Sequence, residues 1–190
     1  MNWRNTRTEF GSLAIFFHWS IVVLIVAAYA TMDLKSLTPR ASPQRESLAV
    51  WHYVLGLSVF AFVWLRVLVR AAGPAPAIEP PLVLWEAALA RAAHFVLYVF
   101  MIDMPLLGWL TVSAKGQPVL FLRMELPALI GKSENLARQF KEIHEGFATV
   151  GYFLIGLHSA AALFHHYVKR DNTLTLMWPG YRFVLSRRQR

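Results

Sequence analysis

The chain has 190 residues, 56% of them hydrophobic and only 16% charged, with a formal net charge of +8. A soluble domain carries about a quarter charged residues, so this deficit, concentrated in long apolar runs, points to an integral membrane protein. The absence of cysteine excludes disulfides, thiolate metal sites and iron–sulfur clusters, which leaves histidine, methionine and carboxylates for any metal or redox centre.

The basic residues gather at the ends of the apolar runs and in the tail. Positive-inside orientation and anionic lipid head groups account for them there, so no nucleic-acid partner is expected. The N-terminal MNWRNTRTEFG is basic, but the run after it is too long for a signal-peptide core and lacks a small-residue cleavage site. It is expected to be a retained first helix.

Four apolar stretches follow in order, about residues 12–32, 48–69, 87–113 and 144–168. Each holds roughly 20 or more residues, enough to cross hydrocarbon as a helix. The second and third are separated by GPAPAIEPP, which neither helix can continue through. The third and fourth are separated by a polar loop over residues 114–143, with a short surface helix expected over SENLARQFKEI; long loops of this kind often cap a site. The expected fold is an all-α integral membrane protein. It is a four-helix transmembrane bundle of up-down topology, with residues 1–190 forming one domain.

Lysine and arginine set the orientation. Arg4, Arg7, Arg66, Arg70, Arg91, Lys169, Arg170, Arg182, Arg187, Arg188 and Arg190 fall on one side, and Lys35, Arg40, Arg45, Lys115, Arg123, Lys132, Arg138 and Lys141 on the other. The excess on the first side predicts that both termini are cytoplasmic.

Ligand-forming residues inside a span are functional candidates. His144 and His158 lie fourteen residues apart in the fourth span. That is about four helical turns and roughly 21 Å of rise, with the two side chains on nearly the same face. By depth, His18 of the first span matches His158, and His52 of the second span matches His144. Two facing pairs, one near each membrane surface, have the geometry for two bis-histidine haems, because each iron takes an imidazole on either side of the ring. Zinc fits less well, since a pair of histidines does not supply its third and fourth ligands.

His165 lies seven residues beyond His158, between the inner pair and the cytoplasmic surface. It is either a hydrogen-bonding or proton-donating group for a quinone or a snorkelling interfacial residue. Arg66 repeats the fourteen-residue spacing from His52; it either pairs with a haem propionate or anchors the end of its helix. His94 is expected to pack on or bond to a haem edge rather than to ligate, and His166 to be interfacial. Gly56, Gly108, Gly151 and Gly156 allow close approach of a macrocycle or of helices. Asp103, beside Pro105 in MIDMP, needs a partner or a proton.

FFHWSIVVLIVAAY in the first span, the second-span histidine followed by LRVLVR, and HEGFATVGYFLIGLHSAAALFHHYVKRDNTL in the fourth resemble the bacterial cytochrome b561 family. Within that family the first and fourth spans are most similar to the superoxide oxidase branch. The resemblance runs from about residue 10 to residue 179. It implies that His18 and His158 ligate the cytoplasmic-side haem b, that His52 and His144 ligate the periplasmic-side haem b, and that His165 lies at ubiquinone. Asp103 and the loop over residues 115–141 depart from that branch.

The activity implied is superoxide:ubiquinone oxidoreductase, with one electron at a time crossing the bacterial inner membrane. Arg40, Arg45, Lys115, Arg123, Lys132, Arg138 and Lys141 would steer superoxide inward, although Asp33, Glu46, Glu125, Glu134, Glu142 and Glu145 share that surface. A second reading is a cytochrome subunit relaying electrons between quinone and a dehydrogenase or hydrogenase, docked through the long loop to a redox partner protein. A third, a small transporter or assembly factor without haem, predicts colourless protein.

Overall fold

The structure, a computed structural model, describes residues 2–122 and 124–179. Arg123, Arg182, Arg187, Arg188 and Arg190 of the orientation argument lie outside them.

Four long helices follow in chain order: α1 Ser12–Leu37, α2 Pro43–Ala71, α3 Leu84–Ala114 and α4 Glu134–Phe164. With 26 to 31 residues each, they span roughly 39–46 Å, longer than a bilayer's hydrocarbon core. All four are long and apolar enough to cross a membrane. Their exposed faces carry large apolar side chains, among them Val23, Val26, Leu68, Phe95, Phe153 and Leu157. Such surface would drive association in water and is at home against lipid. Pro105 sits within α3, where it removes one helical hydrogen bond.

The expected surface helix over residues 133–143 is not a separate element. It is the first part of α4, which therefore starts ten residues before His144. ENLARQFKEI is built of strong helix formers with no glycine or proline, and Ser133 caps its start, its hydroxyl accepting the Leu136 N–H (3.4 Å). The connection from α3 is correspondingly shorter and holds a small antiparallel hairpin, β1 Val119–Phe121 and β2 Met124–Leu126, with Val119 opposite Leu126. Gly116, at φ 68° after α3, adopts the left-handed turn that ends the helix.

The chain forms two compact units, each drawing on all four long helices. One contains the described residues of Ser20–Val63 and Tyr98–Tyr152. In it Leu57, Val112 and Val119 form a buried cluster with Tyr53, Trp109, Phe121 and Leu126 packed around it, so the hairpin is anchored on α2 and α3. Trp109 Nε1–H donates to the Pro127 carbonyl (3.1 Å), and the Leu129 N–H donates to Ser113 Oγ (3.2 Å). Gly151 on α4 is required by packing: a Cβ there would overlap the Tyr29 hydroxyl and the Phe100 ring.

The other unit contains the described residues of Met1–Trp19, Trp64–Leu97 and Phe153–Arg190. After α4 a π-helical turn, His165–Lys169, leads to the short α5, Thr173–Leu176. Asn172 ties this region to the proline-rich linker. Its Oδ1 accepts the Glu79 N–H (2.9 Å), and its Nδ2 donates to the Ala77 carbonyl (3.3 Å). Trp19 Nε1–H donates to the Met177 carbonyl (2.8 Å).

Candidate functional site

His52 on α2 and His144 on α4 face each other with ring centres 6.1 Å apart and planes inclined by 82°. Two imidazoles bonded at about 2 Å to opposite sides of one metal ion have ring centres about 6 Å apart. His52 is oriented by its Nδ1–H, which donates to the Ala28 carbonyl (3.0 Å) and leaves Nε2 for a ligand, the usual arrangement behind a metal-binding histidine. His144 Nδ1 is buried and completes no hydrogen bond, although the Met104 carbonyl approaches it. A cleft, partly open to the outside, lies against both rings and is bordered by Gly56, Pro105, Gly108, Trp109 and Leu120. A Cβ on Gly56 would meet nothing within 4 Å, so that glycine borders open space.

The second unit repeats the arrangement. His18 on α1 and His158 on α4 have ring centres 6.4 Å apart and planes inclined by 75°. His94 on α3 lies 5.5 Å from His158, edge to face, and its Nδ1–H donates to the Ala90 carbonyl (2.6 Å). Arg66 on α2 is buried and donates from an Nη to the Ala14 carbonyl (2.9 Å), one turn before His18. Its guanidinium is within electrostatic reach of His18, His94 and His158. The pairings expected from depth are thus the ones that meet in space. Among the described residues no three histidines, cysteines or carboxylates cluster as a metal cage would. Two-ligand sites of this kind suit a metal that brings its other ligands with it, as a haem iron does.

His165, the first residue of the π turn, is partly exposed, and its Nδ1–H donates to Asp171 Oδ2 (2.5 Å). The other carboxylate oxygen accepts the Thr173 N–H (2.9 Å). Burial pushes the Asp171 carboxyl up, but the bonds from His165 and Thr173 outweigh it and hold the group below the usual carboxylate range. Sequence reasoning did not reach Asp171, which follows the helix end and belongs to no periodic pattern. The only signal available was its place in the DNTL run. His166 stacks edge to face with Tyr167, 4.8 Å away, and Asp103 is exposed.

The sequence pattern described as prokaryotic cytochrome b561 matches residues 9–180. The chain belongs to this family. A b561-family protein is a haem b electron carrier of the membrane, and the four spanning helices make this one a multi-pass membrane protein. It is 32% identical over 171 residues to cytochrome b561 homolog 1 of Escherichia coli (strain K12), covering 90% of this chain and 97% of that one. It is 30% identical over 174 residues to the probable superoxide oxidase CybB of Yersinia pestis, covering 92% and 98%. Cytochrome b561 homolog 2 of Escherichia coli (strain K12) is 25% identical over 184 residues, covering 93% and 95%.

Proposed function

We propose that this b561-family protein is a single-domain, di-haem superoxide:ubiquinone oxidoreductase of the bacterial inner membrane, with both termini cytoplasmic. The overall reaction takes two superoxide ions, one ubiquinone and two protons to two dioxygen molecules and one ubiquinol. His18 and His158 would hold one haem b, with Arg66 to pair a propionate, and His52 and His144 would hold the other. Haem b, when bound, supplies a one-electron centre in each unit. His165 serves ubiquinone from the cytoplasmic side, and superoxide is taken from the periplasmic side.

The reading is carried by the two histidine pairs, whose separations of 6.1 and 6.4 Å both suit two imidazoles holding one metal ion. The superoxide assignment is supported by the similarity to the Yersinia pestis relative. Two histidines would hold each haem, and the haem would supply the one-electron chemistry. The chain's task is then positioning, tuning and access.

A second reading, a cytochrome subunit between quinone and a dehydrogenase or hydrogenase partner, is favoured by the hairpin, on which Leu120, Leu122 and Met124 are exposed. The two separate in a stopped-flow experiment. Superoxide mixed with the haem-loaded protein is expected to reduce the haems, and added ubiquinone to reoxidise them. A haem spectrum indifferent to superoxide, together with co-purification of a soluble redox protein, would favour the second reading.

A further inference from the structure

α4 gives way at Phe164 to a single π turn, a deviation that recurs at functional positions. Arg170, in the left-handed region at φ 56°, closes it. The chain folds back there, the Asp171 N–H donating to the His165 carbonyl (3.2 Å). The carboxylate of Asp171 is thereby set against the imidazole of the residue six positions earlier.

We propose that Asp171 is the positioning residue of the ubiquinone site, fixing His165 so that its Nε2 takes up and delivers protons to the quinone; this rests on the reading of His165 given above. The two side chains divide the roles by exposure: His165 is 19% exposed and Asp171 only 2%. A ligand arriving from outside therefore meets the imidazole, with the carboxylate behind it. Both carboxylate oxygens are engaged, one by His165 Nδ1–H and the other by the Thr173 N–H, so the carboxylate is held in place. With Nδ1 committed, Nε2 is the nitrogen left for a ligand.

A carboxylate accepts from Nδ1–H whether or not Nε2 carries a proton. The ring can lose and regain a proton at Nε2 without changing tautomer, the arrangement a proton donor needs. Ubiquinone takes two electrons from the reduced protein and two protons. His165 passes one proton from Nε2 to the quinone oxygen it faces and regains one from surface water, while Asp171 stays ionised; the opposite oxygen takes the second proton from water. Among the described residues Glu86, itself paired with Lys169 (2.5 Å), also faces His165.

The test uses haem-loaded protein reduced anaerobically with stoichiometric dithionite, mixed with a short-chain ubiquinone and followed by the haem absorbance, with no superoxide present. D171N keeps an acceptor for the Thr173 N–H but turns an amide N–H toward Nδ1, which forces the tautomer with the proton on Nε2. We expect an unchanged haem spectrum and a maximal oxidation rate at least ~10-fold lower. The half-saturating quinone concentration should stay within about threefold, because Nε2–H still donates to a quinone oxygen. H165Q should lose at least as much, and the double variant should lose no more than H165Q. D171E, with a displaced carboxylate, should fall between wild type and D171N, and it carries the test if D171N fails to keep haem.

A wild-type rate in D171N or D171E would overturn the inference, as would losses that multiply in the double variant. If ubiquinone does not oxidise the reduced wild-type protein, the quinone reading itself fails. If it does so equally fast in D171N, only the role of Asp171 falls.

Discussion

The imidazoles of His52 and His144, on α2 and α4, stand 6.1 Å apart centre to centre with their planes inclined by 82°. His18 and His158 reproduce the relationship in the other unit at 6.4 Å and 75°. On the proposed function, replacing any one of the four by alanine would remove a haem ligand from one site only. His52→Ala or His144→Ala should halve the haem recovered per chain, measured by pyridine haemochrome assay against protein content. The double variant His52→Ala/His144→Ala should lose no more than either single one, whereas His52→Ala/His158→Ala should lose both haems.

Two glycines separate a cofactor effect from a packing effect. Gly56 borders the cavity beside His52, with nothing within 4 Å of its would-be Cβ. Gly56→Leu should therefore occupy the space and exclude the haem of that unit while the other haem stays. Gly151→Ala drives a methyl into Tyr29 and Phe100 and should cost about 1–3 kcal/mol of stability through overpacking. The first variant is read in haem content, the second in a thermal melt.

Arg66 is buried within electrostatic reach of the His18–His158 pair. A nearby positive charge disfavours the oxidised, more positive form of a redox centre. Removing an interaction of about 1 kcal/mol lowers a one-electron midpoint by roughly 40 mV. Arg66→Gln should shift one of two midpoints downward by tens of millivolts in a spectroelectrochemical titration. An unchanged pair of midpoints would place Arg66 outside the haem environment.

The four spans were legible because twenty apolar residues in a row have few alternatives to a membrane helix. The histidine pairing was legible because helical rise converts sequence spacing directly into depth. What escaped was local. Hydropathy cannot see that α4 continues through the polar ENLARQFKEI, where propensity and the Ser133 cap decide the matter. The hairpin at Val119–Leu126 is too short to show an alternating pattern. The Asp171–His165 contact depends on a left-handed residue, Arg170, that no periodicity anticipates.

Asp171 also predicts an acid limb in stability. Its folded carboxyl is held below its ordinary value, so the unfolded chain binds the proton more readily. The contribution is complete above the unfolded carboxylate range of about 4 and is lost as pH falls through the lower folded value. The Asp171 contribution to the difference in melting temperature between wild type and D171N should shrink as pH falls below about 4. A gap that widens as pH falls below about 4 would contradict this sign.

If each unit holds one bis-histidine haem, the haem-to-protein ratio of the purified protein and the electron paramagnetic resonance spectrum of its oxidised form show it. Two b-type haems per chain are expected, both low-spin and six-coordinate, as two imidazoles per iron require. One haem per chain, or a high-spin five-coordinate signal from either site, would contradict it.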